Sequence, residues 1–201
     1  MHIIGAGGHA KVVIDILTAN NLSISGIWDD NEDLEFFLGS RLSGKIMSFK
    51  DLDNDFAVLA IGNNKIRKRL SKQLNAKFGT LFHPSSVISP SALVLEGTVV
   101  MPNVTVNSSV TIGKHVILNT GSSVDHDCKI DDFVHISPQV GLAGDVEVGE
   151  GTHIGIGACV IPGIKIGKWA AIGAGAVVIS NIPDYAVVVG NPGRIIKYNP
   201  I

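Results

Sequence analysis

The chain has almost no cysteine: Cys128 and Cys159 are the only two in 201 residues. That excludes a disulfide framework and fits a reducing compartment, so a cytoplasmic location is expected. Aromatic residues are scarce, at 5%, and charge is nearly balanced, with a formal net of −2. Such a surface offers no electrostatic ground for nucleic acid or an anionic membrane as partner. No apolar run approaches the roughly 18 residues of a membrane span, and the opening HIIGAGGHAKVV has glycines where a signal peptide needs an unbroken apolar core. Yet 45% of the residues are apolar and mean hydropathy is +0.33. That apolar content must follow a pattern.

The pattern has a period of six. Every sixth residue from Ile88 through Val94, Val100, Val106, Ile112 and Leu118 to Val178 is aliphatic, with no insertion. Positions four further on are mostly small or apolar, as at Ala92, Val104, Val116, Cys128 and Val140. Glycine often follows the aliphatic residue, at Gly113, Gly149, Gly155, Gly167 and Gly173, which reads as permissive backbone at tight corners. No α-helix has this period. It predicts a hexapeptide solenoid: one short strand and one turn per unit, three units per triangular coil, and about five coils. The aliphatic side chains stack inward at about 4.8 Å per coil, in a prism too narrow for rings. Helices are not expected there.

Residues 1–81 lack the period and read as a small Rossmann-like α/β domain; 82–201 carry the β-helix and a C-terminal tail, with FHPSSVISPSA as the join. HIIGAGGHAKVVIDILTAN is strand, glycine turn and helix, with Val12, Val13, Ile16 and Leu17 on the apolar face. ISGIWDD is a second strand, and AVLAIGNNKIRKRLSKQL repeats strand, Gly62 turn and basic helix. Gly5-Ala6-Gly7-Gly8-His9-Ala10 fits G-x-G-x-x-[GA], and Asp29 and Asp30 stand where a ribose-binding acid would. The functional reading is a phosphate on the turn amides. The plain alternative is tight strand–helix packing with no ligand.

His126 lies between two aspartates and just before Cys128, with His135 nine residues on. Three units per coil make residues 18 apart stack, so His126 stands between Ser108 and Gly144. It is expected outward on a flat face, with Cys128 inward and His135 near a corner, on a different side of the chain. Zinc wants three or four converging ligands, and these diverge. A zinc site between chains, idle surface histidines and a general base all stay open. The favoured reading is the base, since imidazole titrates near neutrality and Asp127 or Asp125 would raise its basicity. His115 and His153 are expected to be structural or solvent-facing.

The stretches IIGAGGHAKVV, WDD, AIGNNKIR, FHPSSVISPSA, NTGSSVDHDCKI, VHISPQVGLAGDVEVGEGTHIGIGACV and VVVGNPGRIIK span nearly the whole chain. Together they resemble the sugar O-/N-acyltransferases of the sialic acid O-acetyltransferase family, in particular those acting on nucleotide-linked 4-amino-4,6-dideoxy sugars. The resemblance implies a left-handed parallel β-helix that packs as a homotrimer with ligand clefts between chains. It implies acetyl-CoA as co-substrate, no metal, and a UDP-linked amino sugar of the bacillosamine pathway as acceptor. Gly7, Gly8 and His9 would hold phosphate and sugar beside Gly62, while Asp29 and Asp30 read the base and ribose. His126 would be the base, Asp127 its acid partner and the Gly144 amide an oxyanion donor. His135 would contact acetyl-CoA, and Ile156 and Gly173 would line its groove. The alternatives are a sialic acid O-acetyltransferase, a dTDP-amino-sugar N-acetyltransferase, a non-catalytic nucleotide-sugar sensor and a zinc hydratase.

Overall fold

The structure, a computed structural model, describes residues 1–50 and 55–200. The front domain runs β1 (His2–Ile4), α1 (Gly8–Ala19), β2 (Gly26–Trp28), a hairpin of β3 (Phe36–Phe37) and β4 (Ser40–Arg41), β5 (Ala57–Leu59) and α2 (Asn64–Gln73). The main sheet is parallel, in the order β2-β1-β5. Its central strand is buried at Ile3 and Ile4, as a strand covered on both faces should be. The buried face of α1 is Ala10, Val13, Ile16 and Leu17; Val12, expected there, is only half-buried. Asn63 caps α2, its side chain accepting from the Ile66 amide at 3.0 Å.

The rest is a left-handed parallel β-helix of about six coils. Its three faces are sheets of eight, six and five strands, each strand two residues long except the last two of the largest, Ala186–Val189 and the antiparallel Arg194–Tyr198. Partners lie 18 residues apart, as in Ser123↔Gly141 and Lys129↔Glu147. The inward column from Val100 to Val178 is buried throughout. The prism begins one strand earlier than the aliphatic period, because Leu81–Phe82 pairs with Val99–Val100. FHPSSVISPSA is therefore part of the first coil. The last coil is two residues short, Ile172 pairing with Val188, which ends the period; Arg194–Tyr198 then returns antiparallel.

The corners correct one expectation. Every sixth residue from Gly97 to Gly175 has positive φ, including Asn103, His115, Asp127, Phe133 and Trp169. The left-handed turn sits at these positions. Gly113 and Gly155 serve close approach instead: a Cβ there would fall 2.7 Å from backbone atoms of the next coil. Their requirement is space.

The eight-stranded face carries the front domain. Its outward residues Leu81, Val99 and Ile117 are buried, in one apolar cluster with Ala10, Val13 and Leu17 of α1. Polar contacts fix the register of this seam. Asn20 Nδ2 donates to the Phe82 carbonyl at 2.9 Å, and Asn64 Nδ2 to that of Gly151 at 3.0 Å. Apolar burial drives the docking, and directional bonds orient it.

Candidate active site

His126 occupies the corner between the six- and five-stranded faces, not a flat side, because the turn after Val124 consumes residues 125–128. Asp127 takes the left-handed position, φ 62°, and that swings its carboxylate back onto the imidazole. Asp127 Oδ2 lies 2.8 Å from His126 Nδ1. Asp125 Oδ1 accepts the His126 amide at 2.8 Å and Asn107 Nδ2, one coil below, at 2.7 Å. The ring lies over Gly144, where a Cβ would meet Cε1 at 2.6 Å and Nε2 at 2.7 Å. Only glycine leaves that room. The hydrogen bond to Asp127, then the charge of Asp125, hold the His126 pKa above its ordinary 6.5. The side chain is 60% exposed, so Nε2 can reach a ligand. The Gly144 amide donates to no described group, and its Cα lies under the His126 ring. Cys128 points inward, Sγ donating to the Ala143 carbonyl at 3.2 Å. Among the described residues no group of three or more His, Cys, Asp or Glu could hold a metal ion.

Three other expected residues meet at the seam. His135 lies within a strand, not near a corner, with Nε2 3.2 Å from Asn119 Nδ2, and it stacks on His153 at 4.7 Å between ring centroids. His153 Nε2 meets Ser137 Oγ at 2.8 Å. His9 enters from α1, and the Gly62 backbone faces His135 from the start of α2. The Nε2 of His9 and the Nδ1 of His135 are buried without a hydrogen-bond partner. Burial first, then the positive charge of Arg67, pulls the pKa of His9 down to about 4. Burial, with the neighbouring His153, takes that of His135 to about 3. His115, buried as a structural residue and stacked on Phe133, falls to about 4 for the same leading cause.

Arg67 is the residue that the sequence reading missed. It is 1% exposed and meets no carboxylate among the described residues. Its Nε donates to the His115 carbonyl at 2.8 Å and Nη2 to that of Phe133 at 2.8 Å, while Nη1 donates to Ile61 at 2.9 Å. One guanidinium thus spans both domains. The available signal was its place on α2, between Asn64 and Leu70 on the buried side of the helix.

The glycine turn opens on a cavity of about 440 Å³ lined by Gly7, Gly8, Lys11, Asn31, Phe36 and Leu38. Gly7 caps α1 with no side-chain bond, and the Ala10 amide turns back to the Gly7 carbonyl at 3.1 Å, so the Gly8 and His9 amides are those left for an anion. Asp29 Oδ2 accepts the Ala6 amide at 2.6 Å and Oδ1 that of Asn31 at 2.8 Å. Asp30 Oδ1 accepts from Ile46 at 2.9 Å. Asp29 therefore braces two residues of the cavity wall, while Asp30 ties down Ile46 outside it. Ile156 is 54% exposed at a different corner, one coil below Gly173–Gly175, with Gly175 donating to its carbonyl at 2.8 Å. The His126 corner is opposite the eight-stranded face. One chain therefore keeps His126 and the His9–His135 seam on opposite sides of the prism.

The family model described as the PglD N-terminal domain matches residues 1–74. UDP-N-acetylbacillosamine N-acetyltransferase of Bacillus subtilis is 40% identical over 104 residues, 47% of this chain and 47% of that protein. An uncharacterized protein of Acanthamoeba polyphaga mimivirus is 34% identical over 95 residues, 47% of this chain and 19% of its own length. The match thus spans about half or less of these curated relatives. Solved structures match end to end. A mutant perosamine N-acetyltransferase from Caulobacter crescentus, in complex with CoA and GDP-perosamine, is 37% identical with TM-score 0.92, covering 98% of this chain and 96% of that one. The acetyltransferase domain of PglB from Neisseria gonorrhoeae, in complex with acetyl coenzyme A, is 36% identical with TM-score 0.92, covering 97% and 98%.

Proposed function

Because the chain belongs to the family of hexapeptide-repeat sugar acyltransferases that includes these sugar N-acetyltransferases, we propose that it moves the acetyl group of acetyl-CoA onto the amino group of a nucleotide-linked amino sugar. The observation that carries this reading is the His126–Asp127 pair set against the free Gly144 amide. An acyl transfer from a thioester to an amine needs those parts: a base, and a donor where negative charge develops. His126 Nε2 takes a proton from the amine as nitrogen attacks the thioester carbonyl. The Gly144 N–H donates to the resulting oxyanion, and the tetrahedral intermediate collapses with cleavage of the C–S bond. The thiolate leaves and takes up the proton from His126. Asp127 holds Nδ1–H and steadies the imidazolium.

The substrate reaches that base only if a second chain supplies it, since the seam and the His126 corner lie on opposite sides. This supports a homotrimer with sites between subunits. In this reading Gly7, Gly8, His9 and Gly62 hold the diphosphate and sugar, Asp29 and Asp30 shape the base end, and His135, Ile156 and Gly173 contact acetyl-CoA. The finer assignment is a UDP-linked 4-amino-4,6-dideoxy sugar in the cytoplasm; the GDP-perosamine of the Caulobacter relative keeps the base and the sugar as the variables to measure.

Acetyl-CoA consumption against UDP-, dTDP- and GDP-linked 4-amino-4,6-dideoxy sugars and free sialic acid tests the proposal. Thiol release with one or more nucleotide amino sugars is expected. Release with sialic acid alone would leave His126 in place and remove the nucleotide roles of the front domain.

A further inference from the structure

Phe36 in β3 and Leu38 at the turn of the β3–β4 hairpin are 56% and 59% exposed, whereas Phe37 between them is buried. Single exposed apolar residues need no explanation. These two, however, line the same cavity as Gly7, Gly8 and Lys11. A Cβ added at Gly7 or Gly8 would meet nothing within 4 Å, so the helix start faces open space rather than packed side chains. Lys11 is exposed and lies in no ion pair among the described residues.

The cavity therefore combines a cation, helix-start backbone and apolar surface, while the neighbouring His9 is buried with Nε2 unpartnered. A nucleotide-sugar has parts to match them: a flat base, an anionic diphosphate and a polar sugar. Asp29 already accepts the amides of Ala6 and Asn31 and so also braces the cavity wall.

We propose that Phe36, with Leu38 beside it, is the stacking platform for the base of the bound nucleotide. The proposal rests on the nucleotide-sugar reading above. Stacking uses the π-face that every base presents, so it adds affinity with little selection among bases. Lys11 and the first-turn amides then hold the diphosphate.

The experiment is calorimetric titration of the full chain with UDP, dTDP and GDP, for the unmodified protein and for Phe36→Ala, Phe36→Leu and Phe36→Trp. Phe36→Ala is expected to weaken every nucleotide that binds by about 5- to 150-fold. Phe36→Leu, which keeps apolar bulk and loses the ring, stays weak; Phe36→Trp restores binding. Unchanged affinity in Phe36→Ala, or full restoration by leucine, overturns stacking while leaving the nucleotide reading intact. A variant that dissociates the assembly at unchanged affinity assigns the patch to a subunit contact and also overturns it. If the unmodified protein binds none of the three, the nucleotide reading itself falls and the platform with it.

Discussion

Two histidine sites on one prism behave in opposite ways. At the exposed corner, Asp127 and Asp125 surround His126 and lift its pKa. At the seam, His9, His115, His135 and His153 lie near Arg67, and burial drives each of them down. The residue type is the same; solvent and the sign of the neighbouring charge differ. A corner imidazole lifted in this way is a stronger proton acceptor than a free one. A seam imidazole stays neutral, fit for packing and for hydrogen bonds that must not change with pH. Histidine count therefore says little about chemistry, and the electrostatic setting says most of it.

The largest effect should come from removing the corner base. His126→Ala is expected to fold, assemble and bind acetyl-CoA while losing about 10²–10⁴-fold in kcat. Steady-state turnover with calorimetric acetyl-CoA binding checks both halves, and near-normal kcat would take the base role from His126. Next comes the seam. Arg67→Ala strands the buried carbonyls of His115 and Phe133 and should cost about 3 kcal/mol in urea unfolding. A loss near zero would mean that water replaces the guanidinium.

Acid separates the two regions again. The seam histidines have folded pKa values below their unfolded 6.5, down to about 3 or 4. The unfolded chain therefore binds more protons in that window, and the stability from neutral burial is complete above pH 6.5 and is lost as pH falls toward 3. Urea midpoints measured between pH 7.5 and 5 should already decline, above the range where ordinary carboxylates titrate. A flat profile there would show that these rings titrate normally.

Much of this arrangement is legible in the sequence because a solenoid repeats its constraints. Each coil needs an inward aliphatic residue at the same place, so the fold is printed once per six residues. The stacking interval of 18 likewise puts Gly144 against His126 before any coordinates exist. The ends are harder. Phe82 breaks the aliphatic rule, and a shortened last coil breaks the period, so neither boundary carries the mark of the interior. The corner positions are hidden for another reason: His115, Phe133 and Trp169 take the same positive φ as glycine, so residue type does not betray them. Arg67 is hidden among Lys65, Lys68, Arg69 and Lys72. Its partners lie 48 and 66 residues away, a distance at which local pattern carries no information.

The smallest effect, and the sharpest test of the corner, is Asp127→Asn. The amide keeps the shape and can still contact Nδ1, but the charge that favours the imidazolium is gone. His126 should then release its proton at lower pH. On the proposed role neutral His126 is the active form, so kcat should rise as pH climbs through its pKa, and this acid limb should move downward in the variant. The plateau should fall by less than about tenfold, because a weaker base accepts the amine proton less readily even when it is fully available. Asp125, held by Asn107 at 2.7 Å, stays in place and preserves part of the lift. The pH profile of kcat in unmodified enzyme and variant separates these contributions. A limb that stays where it was would show that Asp127 does not set the basicity of His126, and the contrast between corner and seam would then rest on Asp125, Arg67 and burial.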